Sequence, residues 1–272
     1  MVRSRKIGLH ENEMDMLHDW RIFMEDFTED TFRVYQDWNE NEHVVGFPIY
    51  YGDIKNNPRL HTSLLNWTEK CLELGNRVLF EHFQKFGVHL RPVLRIVHED
   101  PSDRTYSPLE SLRMRDRGRI ISTTIRVKKA KEYMGWLKVA TYYCLECGTE
   151  QEIPQRLGRN RKRPYHCTPC LEELMGRDPP PEIGEIIRFN PVFEFNIEKC
   201  NYEDIQYLEV QSIEQDDCRL TAFVRDELVG EFKEGDMLDV LVLVRLDHIA
   251  KRDFEEDTRR VLLLEILSAE RI

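Results

Sequence analysis

Two closely spaced cysteine pairs constrain this chain more than any other feature of its sequence. Cys144 and Cys147 form one C-x2-C motif, Cys167 and Cys170 form a second, and nineteen residues separate them. A C-x2-C turn presents two thiolates to one ion, and a second such turn completes a tetrahedral site. The spacing therefore predicts a Zn²⁺ site ligated by these four cysteines. Four protein ligands leave no open position on the metal, so the predicted role is structural.

The other interpretations of these cysteines account for the pattern less well. Reduced core cysteines would not occur as two such pairs, and a redox C-x2-C motif would not occur twice. The remaining cysteines, Cys71, Cys200 and Cys218, lie in apolar patterns and are expected to be core or edge thiols. The N-terminus has no apolar segment of a signal peptide, and no run of eighteen apolar residues predicts a membrane span. The cysteines then fit a reducing compartment, the cytosol or the nucleus.

The first ninety residues have the apolar period of helices. Met16, Trp20, Phe23 and Phe27 recur at three and four residues, which predicts one buried helical face. A second helix is predicted to begin after Asn57, an N-cap residue followed by proline. Its apolar stripe consists of Leu60, Leu64, Trp67, Cys71, Leu74 and Val78. Residues 1–90 are therefore predicted to form a helical bundle.

Beyond residue 90 the apolar period changes to two, which is typical of half-buried strands. Ile121, Thr123, Ile125 and Val127 alternate with polar or charged residues, and the same alternation recurs further along. Many short strands without long helices between them favour a small closed barrel or a sandwich. The predicted strands cover residues 93–98, 121–127, 136–143, 193–198, 205–213, 218–225, 237–246 and 260–267.

Two basic clusters interrupt an otherwise acidic chain. The first lies on and just after a predicted strand, has Tyr133 and Trp136 interleaved, and consists of Arg126, Lys128, Lys129, Lys131 and Lys138. Basic grooves with aromatic side chains are typical of barrels that bind single-stranded nucleic acid, so this cluster is the first candidate DNA surface. The second lies between the cysteine pairs and includes Arg159, Arg161, Lys162 and Arg163. It fits a phosphate contact, a nuclear-localisation patch or a solvated loop.

Charge and missing motifs limit the function classes. The chain has 39 Lys and Arg against 50 Asp and Glu, a net charge of -11, which argues against polyanion binding by overall charge. Four arginines at positions 113, 115, 117 and 119 surround Asp116 and are interpreted as surface decoration. The sequence contains no P-loop, G-x-S-x-G, H-E-x-x-H or glycine-rich dinucleotide motif. We therefore expect a binding module and not an enzyme.

Several local motifs resemble the N-terminal region of minichromosome maintenance (MCM) helicase subunits. They are V-L-R-I from Val93, R-D-R-G-R-I-I-S-T-T-I-R-V from Arg115, Y-C-L-E-C-G from Tyr143, D-E-L-V from Asp226 and E-G-D from Glu234. The resemblance spans essentially the whole chain. It implies an α+β fold in which a helical bundle precedes an OB-fold β-barrel with an inserted zinc ribbon. The implied parts are a helical subdomain at 1–90, the OB fold at 91–143 and 173–272, and the ribbon at 144–172.

The resemblance also carries functional expectations. It implies packing of neighbouring subunits and a surface that meets DNA. The family's Q-E-x-x-x-x-V-P-x-G-x-x-P-R loop is missing, because residues 207–217 contain neither proline nor glycine, which puts coupling to a motor domain in doubt. The sequence ends at Ile272, where an MCM subunit would continue into an ATPase module, so we expect either one domain of a larger helicase or, the interpretation we favour, a protein made of the N-terminal half. The chain then resembles the N-terminal half of the split meiotic MCM-like complex of some insects, whose ATPase-like half is a separate protein.

The resulting prediction is a non-catalytic, nuclear, Zn²⁺-stabilised subunit of a hetero-oligomer. It would bind DNA, single-stranded or in recombination intermediates, and promote meiotic crossovers with an MCM-like ATPase partner. One alternative is the DNA-gripping and ring-forming part of a replicative MCM helicase. The other is an interaction scaffold that never binds DNA, which the net charge and the missing loop favour and the basic clusters oppose.

Overall fold

A computed structural model describes residues 3–35, 44–97, 106–155, 161–177, 179, 181–248 and 260–272. The chain divides into two compact units, one formed by Met1–Tyr133 with Gln206–Ile272 and the other by Met134–Ile205. The four-part division expected from the sequence stays a prediction. No helix in the described ranges combines the length and the apolar character needed to cross a bilayer.

Helices and one small sheet form the first part of the larger unit. The helices are α1 (Arg3–Glu25), α2 (Glu29–Arg33), α3 (Tyr51–Asn56), α4 (Pro58–Asn66) and α5 (Thr68–Lys85). Strands β1 (Val44–Tyr50) and β2 (Arg91–Val97) pair in parallel. Met16, Trp20 and Phe23 are buried as their spacing predicts, and Phe27 packs against the same core. The Asn57 cap is confirmed, since its side chain accepts a hydrogen bond from Leu60 N at 3.1 Å.

The single long helix expected after Asn57 is wrong, because the chain breaks at Trp67. This residue ends α4 and has φ -137° and ψ 43°. Its side chain is 48% exposed, whereas the predicted apolar stripe would bury it. The Thr68 hydroxyl lies 2.7 Å from Leu64 O and 2.8 Å from Gly118 O, so a distant loop takes part in the break. Periodicity alone did not reveal this contact, since Gly118 is fifty residues away.

A glycine in α5 is expected to be intolerant of alanine. A Cβ at Gly75 would lie 2.8 Å from Trp20 Cζ2 and 2.9 Å from Leu94 Cδ1, and Trp20 is fully buried with its Nε1 donating to Cys71 O. Alanine gains about 1 kcal/mol of helix propensity, but overpacking of a rigid indole costs about 1–3 kcal/mol. We expect Gly75→Ala to lower the free energy of unfolding in urea denaturation.

Gly184 provides the matched control for Gly75. It lies in helix α7 (Ile183–Arg188), and a Cβ there meets none of the described atoms within 4 Å. Gly184→Ala is therefore expected to leave stability unchanged or to raise it by up to about 1 kcal/mol. An equal or better stability of Gly75→Ala would contradict the tight helix contact seen at Trp20.

A closed barrel follows the helices. Its strands are β3 (Ile120–Cys144), β5 (Phe193–Ser212), β6 (Arg219–Arg225), β7 (Met237–His248) and β8 (Arg260–Arg271). They pair in the order β3-β5-β6-β8-β7, and β3 pairs with β7 to close the ring. The β6–β8 pairing is parallel, whereas β7–β8 and β3–β7 are antiparallel. Five strands closed in this way form an OB-like barrel, and the predicted α+β class is confirmed.

Two strands are much longer than the alternation predicts. The segments expected at 121–127 and 136–143 belong to one 25-residue strand, β3, and those at 193–198 and 205–213 belong to the 20-residue β5. Residues between these segments are mostly exposed on both faces, so they carry no alternating apolar signal. Pairing with a neighbouring strand can continue without a buried face, and this explains the difference.

A buried ionic cluster joins three barrel strands. Glu265 on β8 is 7% exposed, and its two carboxylate oxygens contact the guanidinium groups of Arg225 and Arg245. Both guanidinium groups also lie over the Phe223 ring, at 5.6 and 6.0 Å from its centroid. Arg245 Nη1 reaches Glu69 Oε1 on α5 at 2.9 Å, so the cluster also connects the barrel to the helices.

Candidate functional site

The first cysteine pair lies at the tip of a hairpin in the smaller unit. Cys144 ends β3, and β4 (Glu150–Pro154) returns antiparallel to it. The turn between them is tight, because Gly148 adopts φ 72° and donates from its N to Cys144 O at 2.8 Å. Cys147 Sγ lies 3.1 Å from Thr149 Oγ1. Thr149 is not among the residues predicted from the sequence, although a hydroxyl two residues after the second cysteine is a recognisable signal.

The second cysteine pair lies at the start of helix α6 (Thr168–Met175). Cys167 is the residue before the helix, a proline occupies its first turn, and Leu171 N donates to Cys167 O at 2.9 Å. Cys170 therefore projects from the first turn, close to Cys167. Phe189 and Phe193 pack against the buried cysteines Cys144, Cys167 and Cys170. His166, next to this pair in sequence, is exposed and is not part of the cluster.

The four sulfur atoms have the spacing of a tetrahedral metal site. All lie within 4.8 Å of one another, with Cys144 Sγ 3.6 Å from Cys170 Sγ and Cys147 Sγ 3.4 Å from Cys167 Sγ. Zinc–sulfur bonds of 2.3 Å in a tetrahedron place neighbouring sulfurs about 3.8 Å apart. Three of the cysteines are buried and Cys147 is exposed. The donor set and its geometry fit Zn²⁺.

Electrostatics of the cluster also favours a cation. Hydrogen bonds from the side chain and the backbone of Thr149 lower the pKa of Cys147 to about 6. The neighbouring Cys147 sulfur and then burial raise the pKa of Cys170, and burial raises the pKa of Cys167. One thiolate in this crowded group disfavours the next, because like charges repel. A divalent cation removes that repulsion, since metal-bound thiols are deprotonated.

Four residues of the first basic cluster lie on β3 in the larger unit. Arg126 and Lys128 are half-buried, whereas Lys129 and Lys131 are exposed. Lys131 Nζ lies 3.7 Å from Glu209 Oε1 on β5. Within the described ranges, Arg126, Lys128 and Lys129 form no ion pair. Their charges are therefore available to an anionic partner.

The fifth member, Lys138, lies in the smaller unit and has a carboxylate partner. Its Nζ contacts Glu203 Oε1 at 2.6 Å, and the Glu203 side chain is only 4% exposed. A buried carboxylate needs a partner charge, so Lys138 has a structural task at this position. Its role as a DNA contact stays a prediction.

The second basic cluster is only partly described. Arg159 lies outside the described residues, while Arg161, Lys162 and Arg163 are exposed in the smaller unit. The Arg161 guanidinium lies 4.0 Å from the Phe195 ring centroid. Lys162 is held by its backbone, since its O accepts from Tyr142 Oη at 2.9 Å. These contacts leave the Lys162 and Arg163 side chains directed to solvent, and their contact with DNA stays a prediction.

Comparison with solved structures finds the same arrangement of elements over nearly the whole chain. The crystal structure of the N-terminal domain of an archaeal MCM superposes with a TM-score of 0.73 and 19% sequence identity, covering 96% of this chain and 99% of that domain. The chain has the fold of an MCM N-terminal domain. No protein-family model and no curated protein sequence matches the chain.

The MCM N-terminal fold accounts for the order of the elements. Helices come first, the OB-like barrel follows, and the hairpin and helix that carry the cysteines are inserted between barrel strands β3 and β5. The resemblance stated from the sequence motifs is confirmed as a likeness of fold. At 19% identity this likeness extends to the fold and not to the activity.

Proposed function

We propose that this chain is a Zn²⁺-stabilised DNA-binding subunit of an MCM-like assembly. The observation that carries the proposal is the MCM N-terminal fold, matched over 96% of the chain, with the four-cysteine cluster in its ribbon. Cys144, Cys147, Cys167 and Cys170 would hold the ion. When bound, Zn²⁺ would cross-link the two cysteine pairs and play a structural role, because four thiolate ligands leave no coordination position for a substrate.

The DNA-binding part of the proposal rests on the barrel surface. Arg126, Lys128 and Lys129 have no ion pair among the described residues, and Tyr133 on the same strand is 70% exposed. An exposed ring on the same strand as unpaired cations suits single-stranded DNA, whose unpaired bases stack on aromatic side chains while cations contact its phosphates. A non-catalytic role follows from this proposal, since the subunit grips a strand without altering it.

The expected biological setting is meiotic crossover formation in the nucleus, with a separate MCM-like ATPase as partner in a hetero-oligomer. Affinity purification of the tagged chain from meiotic tissue, followed by mass spectrometry, tests this setting. Recovery of a separate MCM-type ATPase chain would support it. Recovery of replicative MCM subunits would instead favour the alternative that the chain is the DNA-gripping part of a replicative MCM helicase.

Charge reversal at the barrel surface is expected to weaken DNA binding strongly. Each phosphate contacted by a single-strand binder contributes about -0.7 to the slope of log affinity against log salt. Losing two contacts in Lys128→Glu/Lys129→Glu should flatten that slope by about 1.4 and raise Kd more than tenfold at about 0.1 M salt. Fluorescence anisotropy with an oligothymidine across a salt series measures both quantities.

The matched control reverses two positive charges on a helix, away from the barrel. Arg77 and Lys85 are exposed on α5, so Arg77→Glu/Lys85→Glu alters the net charge equally without touching the barrel. The control should keep wild-type affinity and slope. Equal losses in both variants would mean that overall charge governs binding and that the barrel surface has no special role.

One observation favours an interaction scaffold as a second candidate. Lys131 and Lys138 already pair with Glu209 and Glu203, and the chain carries a net charge of -11. A scaffold predicts no DNA binding by the wild-type protein at about 0.1 M salt and no salt slope. The anisotropy series therefore separates the two candidates.

A further inference from the structure

An exposed loop before β3 concentrates positive charge outside the surface proposed above. Residues 113–119, here called the arginine loop, contain four arginines and one aspartate. All four arginines are exposed, whereas Asp116 is only 8% exposed. Within the described part of the chain, Arg115 and Arg117 form no ion pair. The loop therefore presents unpaired guanidinium groups to solvent.

The one acidic residue of the loop is used internally. Asp116 Oδ2 accepts from Arg113 N at 2.9 Å, and its Oδ1 accepts from Arg119 Nη1 at 2.9 Å. The backbone N–H of Arg113 is the main cause that lowers the pKa of Asp116, so the carboxylate is charged. Because both oxygens accept hydrogen bonds within the loop, Asp116 shapes a 3-10 turn at Met114–Asp116. Among the described residues it forms an ion pair with Arg119 and none with Arg115 or Arg117, although the charge of Arg115 also helps to lower its pKa.

The loop is anchored at both of its ends. Leu109 and Leu112 before it are buried in the barrel core. At its other end, Gly118 N donates to Val244 O at 2.8 Å, and Gly118 O lies 2.8 Å from the Thr68 hydroxyl. A loop held in this way presents its guanidinium groups with little loss of conformational freedom on binding, which favours affinity.

We propose that the arginine loop is a second contact for the phosphate backbone of the DNA strand that the barrel binds. The proposal rests on the proposed function and extends it. Arg119 directly precedes β3, and Lys128 lies nine residues further along the same strand. At 3.3 Å per residue the two ends are about 30 Å apart. A bound strand that follows β3 meets cations at both ends.

The choice of nucleic acid over an acidic protein follows from the distribution of these charges. One group of unpaired cations, Arg115 and Arg117, lies in the loop that leads into β3, and the other group, Arg126, Lys128 and Lys129, lies on β3 itself. A nucleic-acid strand carries a negative charge at every nucleotide, so one strand can neutralise both groups of cations. A short acidic segment of a protein would bind one group of cations only. All the loop cations are arginines, whose planar fork binds phosphate oxygens in a bidentate manner.

The test is charge reversal in the loop, Arg115→Glu/Arg117→Glu, in the full chain. Anisotropy with an oligothymidine of about 30 nucleotides should show a salt slope flatter by about 1.4 and a Kd raised on the order of tenfold at about 0.1 M salt. Thermal unfolding should be unchanged, because both side chains are exposed and unpaired. Arg77→Glu/Lys85→Glu again provides the charge-matched control.

The outcomes separate this inference from the function it rests on. If Lys128→Glu/Lys129→Glu weakens binding and the loop variant does not, the second contact is wrong and the barrel surface stands. If neither variant changes the affinity, or the wild type binds no DNA, both proposals fail. If the loop variant instead loses binding to polyglutamate while retaining wild-type DNA affinity, the loop is a site for acidic proteins and the inference is overturned.

Discussion

Replacing Cys170 by serine is expected to release Zn²⁺ and to unfold the ribbon while the barrel stays folded. The ribbon has a small apolar core, in which two phenylalanines pack against three of the cysteines. In so small a core the free energy of metal binding is the free energy of folding, and structural zinc contributes about 10–16 kcal/mol. Elemental analysis should find about one zinc ion per wild-type chain and none in the variant. Limited proteolysis should cut the variant between residues 144 and 193.

Cys200→Ser provides the matched control. Cys200 lies in the same unit but outside the cluster, and its Sγ accepts from Thr141 N at 3.3 Å and contacts Asn196 O at 3.0 Å. A serine hydroxyl replaces both interactions, so zinc content and protease resistance should match the wild type. A wild-type protein that is free of metal yet resistant to protease would contradict the zinc site.

Chelation and acid should reproduce the loss caused by the Cys170 variant. Ligand thiols must be deprotonated, so zinc affinity falls as pH falls. Addition of a strong chelator to the wild type should therefore give the same proteolytic fragments as Cys170→Ser. The fragments should disappear when zinc is restored at neutral pH.

Neutralising Glu265 is expected to cause a large loss of stability in the larger unit. Glu265→Gln removes the buried carboxylate charge that contacts both Arg225 and Arg245. Breaking a buried ion pair by removing one partner costs about 3–5 kcal/mol. Urea denaturation should show this decrease in the free energy of unfolding, with the slope against urea unchanged.

The same cluster predicts a loss of stability in acid. Burial opposes ionisation of Glu265, but the charges of Arg225 and then Arg245 outweigh it and lower its pKa. A carboxylate whose pKa is lower in the folded state contributes its full stability above its unfolded pKa of about 4.3. That contribution disappears as pH falls through the lower, folded value. The difference in stability between wild type and Glu265→Gln should shrink over this range.

Glu69→Gln is the control for both measurements. Glu69 pairs with the same Arg245, but its side chain is 69% exposed. An exposed ion pair contributes about 0–1 kcal/mol, so this variant should remain close to the wild type. An equal loss in Glu69→Gln and Glu265→Gln would show that burial of the Glu265 carboxylate is not what makes the cluster important.

Much of the architecture was readable from local patterns. The stripe of Met16, Trp20 and Phe23, the Asn57 cap and the alternation around Ile125 each arise from interactions within a few residues or from burial of one face. The paired cysteines predicted their own convergence, because each C-x2-C turn is a local structure. These features place a helical part before a barrel with an inserted ribbon.

Other features depend on residues that are distant in the chain. The break at Trp67 involves Gly118, the length of β3 depends on its strand partners, and Glu265 is stabilised by arginines on two other strands. The sequence also does not show whether an arginine forms an ion pair. Arg119 pairs with Asp116, whereas Arg117, two residues earlier, forms no ion pair among the described residues.

The sequence by itself thus determined the apolar period of the buried segments, the two C-x2-C motifs and the order of the parts, since these depend on residues close together in the chain. Only the tertiary structure decided which strands close the barrel and which charges remain unpaired. The physical reason is that strand pairing and ion pairing join residues far apart in sequence, and their energies depend on burial that no local pattern encodes.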